Sequence, residues 1–172
     1  MTHQINAIQG DITKQNADAI VNAANRGLFG GSGVCGAIFD AAGYDDMTKA
    51  CKAIGSCETG EAVITPGFKL PAKYVIHTVG PVYGQNDGHD AELLQSCHWT
   101  SLARAEENGV TSITFPLIST GIYGYPKEEA IRISIDAIRE YFYDNDGSVI
   151  SEVNLCAWSD EDYGLLTKIL NK

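Results

Sequence analysis

The amino-acid sequence predicts an α/β fold with a largely parallel sheet covered on both faces. Three observations carry that expectation. Short apolar strand patterns alternate with helical patterns along nearly the whole chain, an order that joins parallel strands through crossover helices. The apolar stretch Ile20-Val21-Asn22 runs into a loop containing Gly27, Gly30, Gly31 and Gly33, and an amphipathic helical pattern starts near Val34. A second small-residue loop, Ser119 to Gly124, leaves another strand and enters another helix. The 172 residues, 44% hydrophobic and 20% charged, fit one domain over 1–172, long enough to bury a core without disulfide or metal staples.

Residues 3–9 alternate enough for a strand, and Gly10-Asp11-Ile12-Thr13 reads as a turn. Residues 18–22 form a second strand with a continuous apolar run, followed by the glycine loop and a helix at about 34–43. A short helix covers 45–54. Gly60 to Thr65 and Tyr74 to Val79 read as strands, with Pro66-Gly67 and Gly80-Pro81 as breakers. After a polar loop at 84–89, a helix spans about 90–108 and stops at Asn108-Gly109. Ser112 to Pro116 is a strand, and Pro126 suits the first turn of a helix reaching about Tyr143. Asp144 to Gly147 is a turn, Val149 to Ala157 a last strand, and 160–171 a closing helix.

The formal net charge of −10 argues against nucleic-acid binding, which needs clustered Lys and Arg to displace counterions. It leaves room for a phosphate ligand held by backbone donors, and it favours a monomer. The cysteines are Cys35, Cys51, Cys57, Cys97 and Cys156, an odd number with no Cys-x-x-C. They point to a reducing cytoplasm rather than a disulfide framework or zinc site. Cys97-His98 are adjacent on a helix and face apart, so they read as structural. No metal or cofactor is expected. No basic-then-apolar leader and no run of 18 apolar residues is present, so no membrane association is expected.

In open α/β sheets, ligands gather at the carboxyl ends of strands. Four segments qualify here. Strand, glycine loop and helix together place backbone N–H groups around an anion, and Asn22 and Asn25 add uncharged donors and acceptors. Ser119 to Gly124 would be a second anion cradle or a plain strand–helix turn. Two such loops facing each other would hold two linked phosphates. Asp11 accepts an exocyclic amine such as adenine's, or caps a turn with Thr13. Trp158 stacks on a base or packs in the core. Tyr123 packs on a ribose or is a half-buried loop aromatic. Read together, an amine acceptor, a stacking ring and two phosphate cradles describe an adenine dinucleotide-like ligand.

These motifs resemble a known family. Gly10-Asp11-Ile12-Thr13, Asn22-Ala-Ala-Asn25, Gly30-Gly31-Ser32-Gly33-Val34, Gly36-Ala37-Ile38, Ala41-Ala42-Gly43 and Ser119-Thr120-Gly121-Ile122-Tyr123-Gly124-Tyr125-Pro126 are similar, in that order, to the macro domain. Within it they look like the MacroD-like, bacterial YmdB-like branch. Gly60-Glu61-Ala62-Val63-Ile64-Thr65 and His77-Thr78-Val79-Gly80-Pro81 also fit. The resemblance implies a three-layer α/β/α sandwich around a mixed sheet and a site for ADP-ribose. It places Asp11 on the adenine amine, Ile12 as a backbone contact and Trp158 against the base. Ser119, Thr120, Gly121, Ile122 and Tyr123 would wrap the diphosphate. Asn25, Gly31, Ser32, Gly33 and Val34 would hold the distal ribose, and Asn22 is a further ligand-binding candidate.

The implied activity is hydrolysis of mono-ADP-ribose from acidic side chains of proteins and deacetylation of O-acetyl-ADP-ribose, with the ligand's own phosphate holding the attacking water. A non-catalytic ADP-ribose reader and an ADP-ribose 1″-phosphate phosphatase are the alternatives. Three positions depart from the MacroD-like pattern: Ser32 replaces a glycine, Phe39 a histidine, and Cys35 an aspartate proposed as catalytic there. Alphavirus macro domains, an active branch, carry Gly-Val-Cys at this place. Asn25 and Cys35 are therefore the candidate catalytic positions, Asn25 to orient ribose or water. For Cys35, a packing role or weak water contact is preferred over a nucleophile, because no His or Lys lies close in sequence.

Overall fold

The computed structural model describes residues 2–172. Six strands, β1 (Gln4–Gln9), β2 (Ala19–Ala23), β3 (Ala62–Pro66), β4 (Tyr74–Thr78), β5 (Ser112–Phe115) and β6 (Glu152–Ala157), form one sheet in the order β1-β6-β5-β2-β4-β3. All neighbours are parallel except β3, which pairs antiparallel with β4. The helices are α1 (Gly33–Ala42), α2 (Tyr44–Ile54), α3 (Asp90–Glu107), α4 (Lys127–Asp144) and α5 (Asp160–Leu170). The sheet is mixed and mostly parallel, as the sequence predicts.

Two apolar clusters, one on each face of the sheet, make the fold a three-layer sandwich. Ala19 and Val21 of β2 face the cluster built with Leu94, Leu102, Ile131, Ile135 and Leu166 of α3, α4 and α5. Ile20, between them, faces the cluster of Ile38, Phe39 and Met47 from α1 and α2. Alternate side chains of a strand leave on opposite faces, so a strand buried on both sides must be apolar without a break. That is why the strand carries the unbroken apolar run Ala19-Ile20-Val21. Phe39, Ile38 and Met47 are almost wholly buried, and each such side chain contributes about 1.5–3 kcal/mol of transfer free energy.

Element ends move by one to three residues from the sequence reading, for local reasons. The turn at Gly10–Thr13 becomes a single 3₁₀ turn, Ile12–Lys14, capped by Asp11. One glycine, Gly43 at φ +105°, ends α1 and starts α2. The last strand begins at Glu152 rather than Val149, because the backbone before it is held otherwise. The Val149 N–H donates to Glu106 Oε2 at 3.3 Å and the Ile150 N–H to Ser148 Oγ at 3.1 Å. No described helix is long and apolar enough to cross a membrane.

Candidate functional site

A cleft of about 760 Å³ opens where β1, β2, β5 and β6 end at their carboxyl termini, the position expected for a ligand on a parallel sheet and a size typical of cofactor and nucleotide pockets. Its wall contains Asp11 and Ile12 after β1, Asn25, Gly31, Ser32, Gly33, Val34 and Cys35 after β2, Ser119 to Tyr123 after β5, and Trp158 after β6. The structure thus brings together every residue singled out from the sequence except Asn22.

The first rim is the glycine loop entering α1. Ser32 occupies the N-cap position of α1, yet its side chain caps nothing. The backbone N–H groups of Gly31, Ser32, Gly33 and Val34 have no partner among the described residues. Helix starts leave such donors free, and the helix dipole adds to their attraction for an anion. Gly33, at φ +60°, takes a conformation that costs a side-chain-bearing residue more. Asn25 braces the loop by pairing with the backbone of Phe29 in both directions. One amide hydrogen and one lone pair of Asn25 are then left for a ligand.

The second rim is the loop after β5. Its entry is fixed by Ser119, which sits at φ +67°. The Ser119 hydroxyl donates to Pro81 O at 2.8 Å, and its carbonyl accepts from Tyr125 N at 2.9 Å. Gly80 packs so closely beneath that a Cβ there would collide with Ser119 Oγ and Ile118 Cγ2. Beyond this anchor, the backbone N–H groups of Gly121, Ile122 and Tyr123 are again unpartnered among the described residues. The Thr120 hydroxyl turns back to Leu117 O at 2.7 Å. Tyr123 is half-buried and lines the cleft.

At the end formed by β1 and β6, both expected roles of Asp11 are compatible. Its Oδ1 accepts from the Thr13 N–H at 2.9 Å and the Thr13 hydroxyl at 2.7 Å, while Oδ2 takes neither bond. The Thr13 hydroxyl bond, with that of the Thr13 N–H, holds the carboxyl below its ordinary range, so Oδ2 belongs to a charged acceptor at neutral pH. Trp158 is 75% exposed, which rules out core packing and leaves its ring free to stack.

The wall includes residues that the sequence reading missed, among them Phe29, Cys156 and Asp162. Asp162 stands in the first turn of α5 behind a Ser159 cap, and its Oδ1 pairs with Lys127 Nζ at 2.8 Å. The spacing Ser159-x-x-Asp162 was a signal for that turn. Nothing local marked the exposed Phe29. Among the described residues no Lys or Arg lines the cleft, and Asp11 and Asp162 are its only charged side chains. Positive potential for an anion therefore comes chiefly from peptide N–H groups.

Asn22 is the correction. It is fully buried in β2, paired in register with His77 of β4, and lies outside the cleft wall. Strand parity sends its side chain to the face of Ile20, behind α1. Cys35 lines the cleft but is buried, and its Sγ donates weakly to Phe29 O at 3.7 Å. Cys97 and His98 bind Val79 O and Leu94 O within the core, as expected of structural residues. No cluster of potential metal ligands exists among the described residues.

Known proteins share this arrangement. The family model described as Macro domain matches residues 21–134. A macro domain-containing protein of Chlorobaculum tepidum is 51% identical over 96% of this chain and 95% of its own length. The ADP-ribose glycohydrolase MACROD1 of Mus musculus is 45% identical over 96% of this chain, which spans 51% of that protein. Among solved structures, the Oceanobacillus iheyensis macrodomain with ADP superposes with a TM-score of 0.91 at 40% identity, covering 99% of this chain and 94% of that one. The Trypanosoma brucei macrodomain in complex with ADP-ribose superposes at 0.88 with 37% identity, over 96% and 68% of the two chains.

Proposed function

The chain belongs to the macro domain family, and from that premise we propose that it binds ADP-ribose in this cleft and hydrolyses mono-ADP-ribose from acidic side chains of proteins, with O-acetyl-ADP-ribose as a second substrate. The observation that carries the proposal is the pair of unpartnered N–H arrays, Gly31 to Val34 and Gly121 to Tyr123, on two rims of one cleft that has no basic side chain. A pyrophosphate meets both arrays. Adenine stacks on Trp158 and gives its amine to Asp11 Oδ2, with Ile12 beside it. The distal ribose then falls between Asn25 and Cys35.

Hydrolysis needs a water aimed at the anomeric carbon or the acyl carbonyl. The water's oxygen bonds to that carbon, the carboxylate or the ribose hydroxyl leaves, and the water's proton passes to the departing oxygen. No carboxylate lines the wall at Asn25 and Cys35, so the ligand's phosphate holds the water and Asn25 orients the sugar. Positioning of this kind supplies about 7–11 kcal/mol in favourable cases, and a missing general base costs roughly 10²–10⁴-fold. A slow hydrolase is the expected result. The lack of an acid at that wall also favours a second reading, an ADP-ribose reader without turnover. Incubation with a protein mono-ADP-ribosylated on Glu or Asp separates them. Release of ADP-ribose, lost in Asn25→Ala, supports the hydrolase. Binding without release over hours supports the reader, and phosphate release from ADP-ribose 1″-phosphate would mark a phosphatase.

A further inference from the structure

Behind the distal-ribose wall lies a buried polar chain that the binding scheme does not use. Asn22 and His77 are both fully buried on adjacent central strands. Asn22 Nδ2 approaches two acceptors, His77 Nδ1 at 3.0 Å and Cys35 Sγ at 3.6 Å, one for each of its hydrogens. His77 Nδ1 must then accept, so the ring proton sits on Nε2 and is donated to Thr65 Oγ1 at 3.0 Å. The Thr65 hydroxyl donates onward to Pro66 O at 3.1 Å. At the other end, the Cys35 thiol donates to Phe29 O, the same carbonyl that receives Asn25 Nδ2 at 2.8 Å.

Donors run outward from Asn22 in both directions, through His77 and Thr65 to Pro66 O and through Cys35 to the Phe29 oxygen that fixes Asn25. The series also leaves Asn22 Oδ1 buried with no partner. A position selected for packing alone would favour an apolar residue over an amide with an orphaned oxygen.

We infer that Asn22 and His77 are positioning residues, which act through Cys35 and the Phe29 carbonyl to hold Asn25 in its working orientation. The inference rests on the reading of Asn25 as the group that orients the distal ribose. Burial keeps His77 neutral by pushing its imidazole down to about 4, so the acceptor at Nδ1 persists at neutral pH. Asn22 and His77, both outside the cleft wall, fix the geometry of the site and touch no ligand atom.

The test compares variants that separate volume from hydrogen bonding. His77→Phe keeps the core filled and removes the acceptor. His77→Asn keeps an acceptor near the Nδ1 position and leaves a cavity. Cys35→Ala cuts the series at the cleft, and Cys35→Ser keeps a donor and acceptor there. Each is assayed for release of ADP-ribose from a protein modified on Glu or Asp, for ADP-ribose affinity, and for the side-chain amide NMR signals of Asn25. The expected result is a kcat loss of about 10–100-fold in His77→Phe and Cys35→Ala, the scale of a small misplacement. ADP-ribose affinity stays within a few-fold, the Asn25 amide signals shift, and His77→Asn and Cys35→Ser recover most of kcat. A merely structural role gives the opposite order, with the cavity variant His77→Asn the worse. That order, or unmoved Asn25 signals, overturns the inference. If the wild-type protein releases nothing, the hydrolase reading fails, and the Asn25 signals in Cys35→Ala still decide the positioning claim.

Discussion

Asn25 and Phe29 close a small ring across the glycine loop: Asn25 Nδ2 donates to the Phe29 carbonyl at 2.8 Å, and the Phe29 N–H donates to Asn25 Oδ1 at 3.1 Å. The ring sets the curvature of the rim that leads into α1, and it aims the remaining half of the Asn25 amide. In the proposed function, support for the loop and orientation of the ligand both fall to this one side chain.

Asn25→Ala is accordingly expected to lose turnover by about 10²-fold or more, since geometry is what the residue supplies. ADP-ribose affinity should fall by no more than about 10-fold, the worth of one net hydrogen bond. Single-turnover release beside a calorimetric titration measures both. Equal losses in rate and affinity would reduce Asn25 to a binding contact.

Asp11→Asn separates the two duties of Asp11. The amide oxygen can still cap Thr13 as Oδ1 does, so thermal stability should change little. The other position becomes a donor facing the adenine amine. Affinity for ADP-ribose should weaken by about 10-fold or more, as expected for loss of a charged acceptor, with kcat at saturation nearly unchanged. Unaltered affinity for ADP-ribose would remove Asp11 from the adenine site.

Trp158→Ala tests stacking. The ring is mostly exposed, so its removal should leave the unfolding midpoint in place. Stacking of a base on an aromatic ring is worth about 1–3 kcal/mol, so the dissociation constant should rise roughly 5- to 150-fold. A large loss of stability with unchanged binding would instead show the ring to be structural.

Acid should destabilise the fold before the carboxylates titrate. Burial pushes both His77 and His98 down to about 4, against about 6.5 in the unfolded chain. Their depressed values mean that the unfolded state takes up protons first. Stability is therefore full above about 6.5 and is lost as pH falls from there toward about 4, by about 1.4 kcal/mol per pH unit for each histidine. Asp11 and Asp18, held low chiefly by Thr13 and Thr111, add a further loss at lower pH. Urea unfolding at pH 8, 6 and 5 checks this. A flat profile down to pH 5 would contradict it.

Most of the fold was legible because burial on both faces leaves a simple mark. The continuous apolar run around Ile20 and the alternation of strands with helices predict the sheet and its two coverings. The cleft was legible where the signal was local: glycine before a helix, small residues after a strand, a carboxylate at a strand end. What escaped depends on long-range packing. That Trp158 stands in solvent shows only in three dimensions, and the late start of β6 follows from a carboxylate on Glu106, far away in sequence. Asn22 was placed in the site because it shares a motif with Asn25. Strand parity already put it on the side of Ile20, and the buried partner His77, on another strand, could be found only in three dimensions.

The central claim is that peptide N–H groups, rather than basic side chains, hold the pyrophosphate of a ligand inside a strongly acidic protein. Backbone ¹H–¹⁵N spectra recorded during titration with ADP-ribose test it most directly. The account requires large, saturable shifts at Gly31, Ser32, Gly33, Gly121, Ile122 and Tyr123 on both rims, together with the Trp158 indole. Saturable binding that leaves either rim unmoved, or no binding at all, would contradict it.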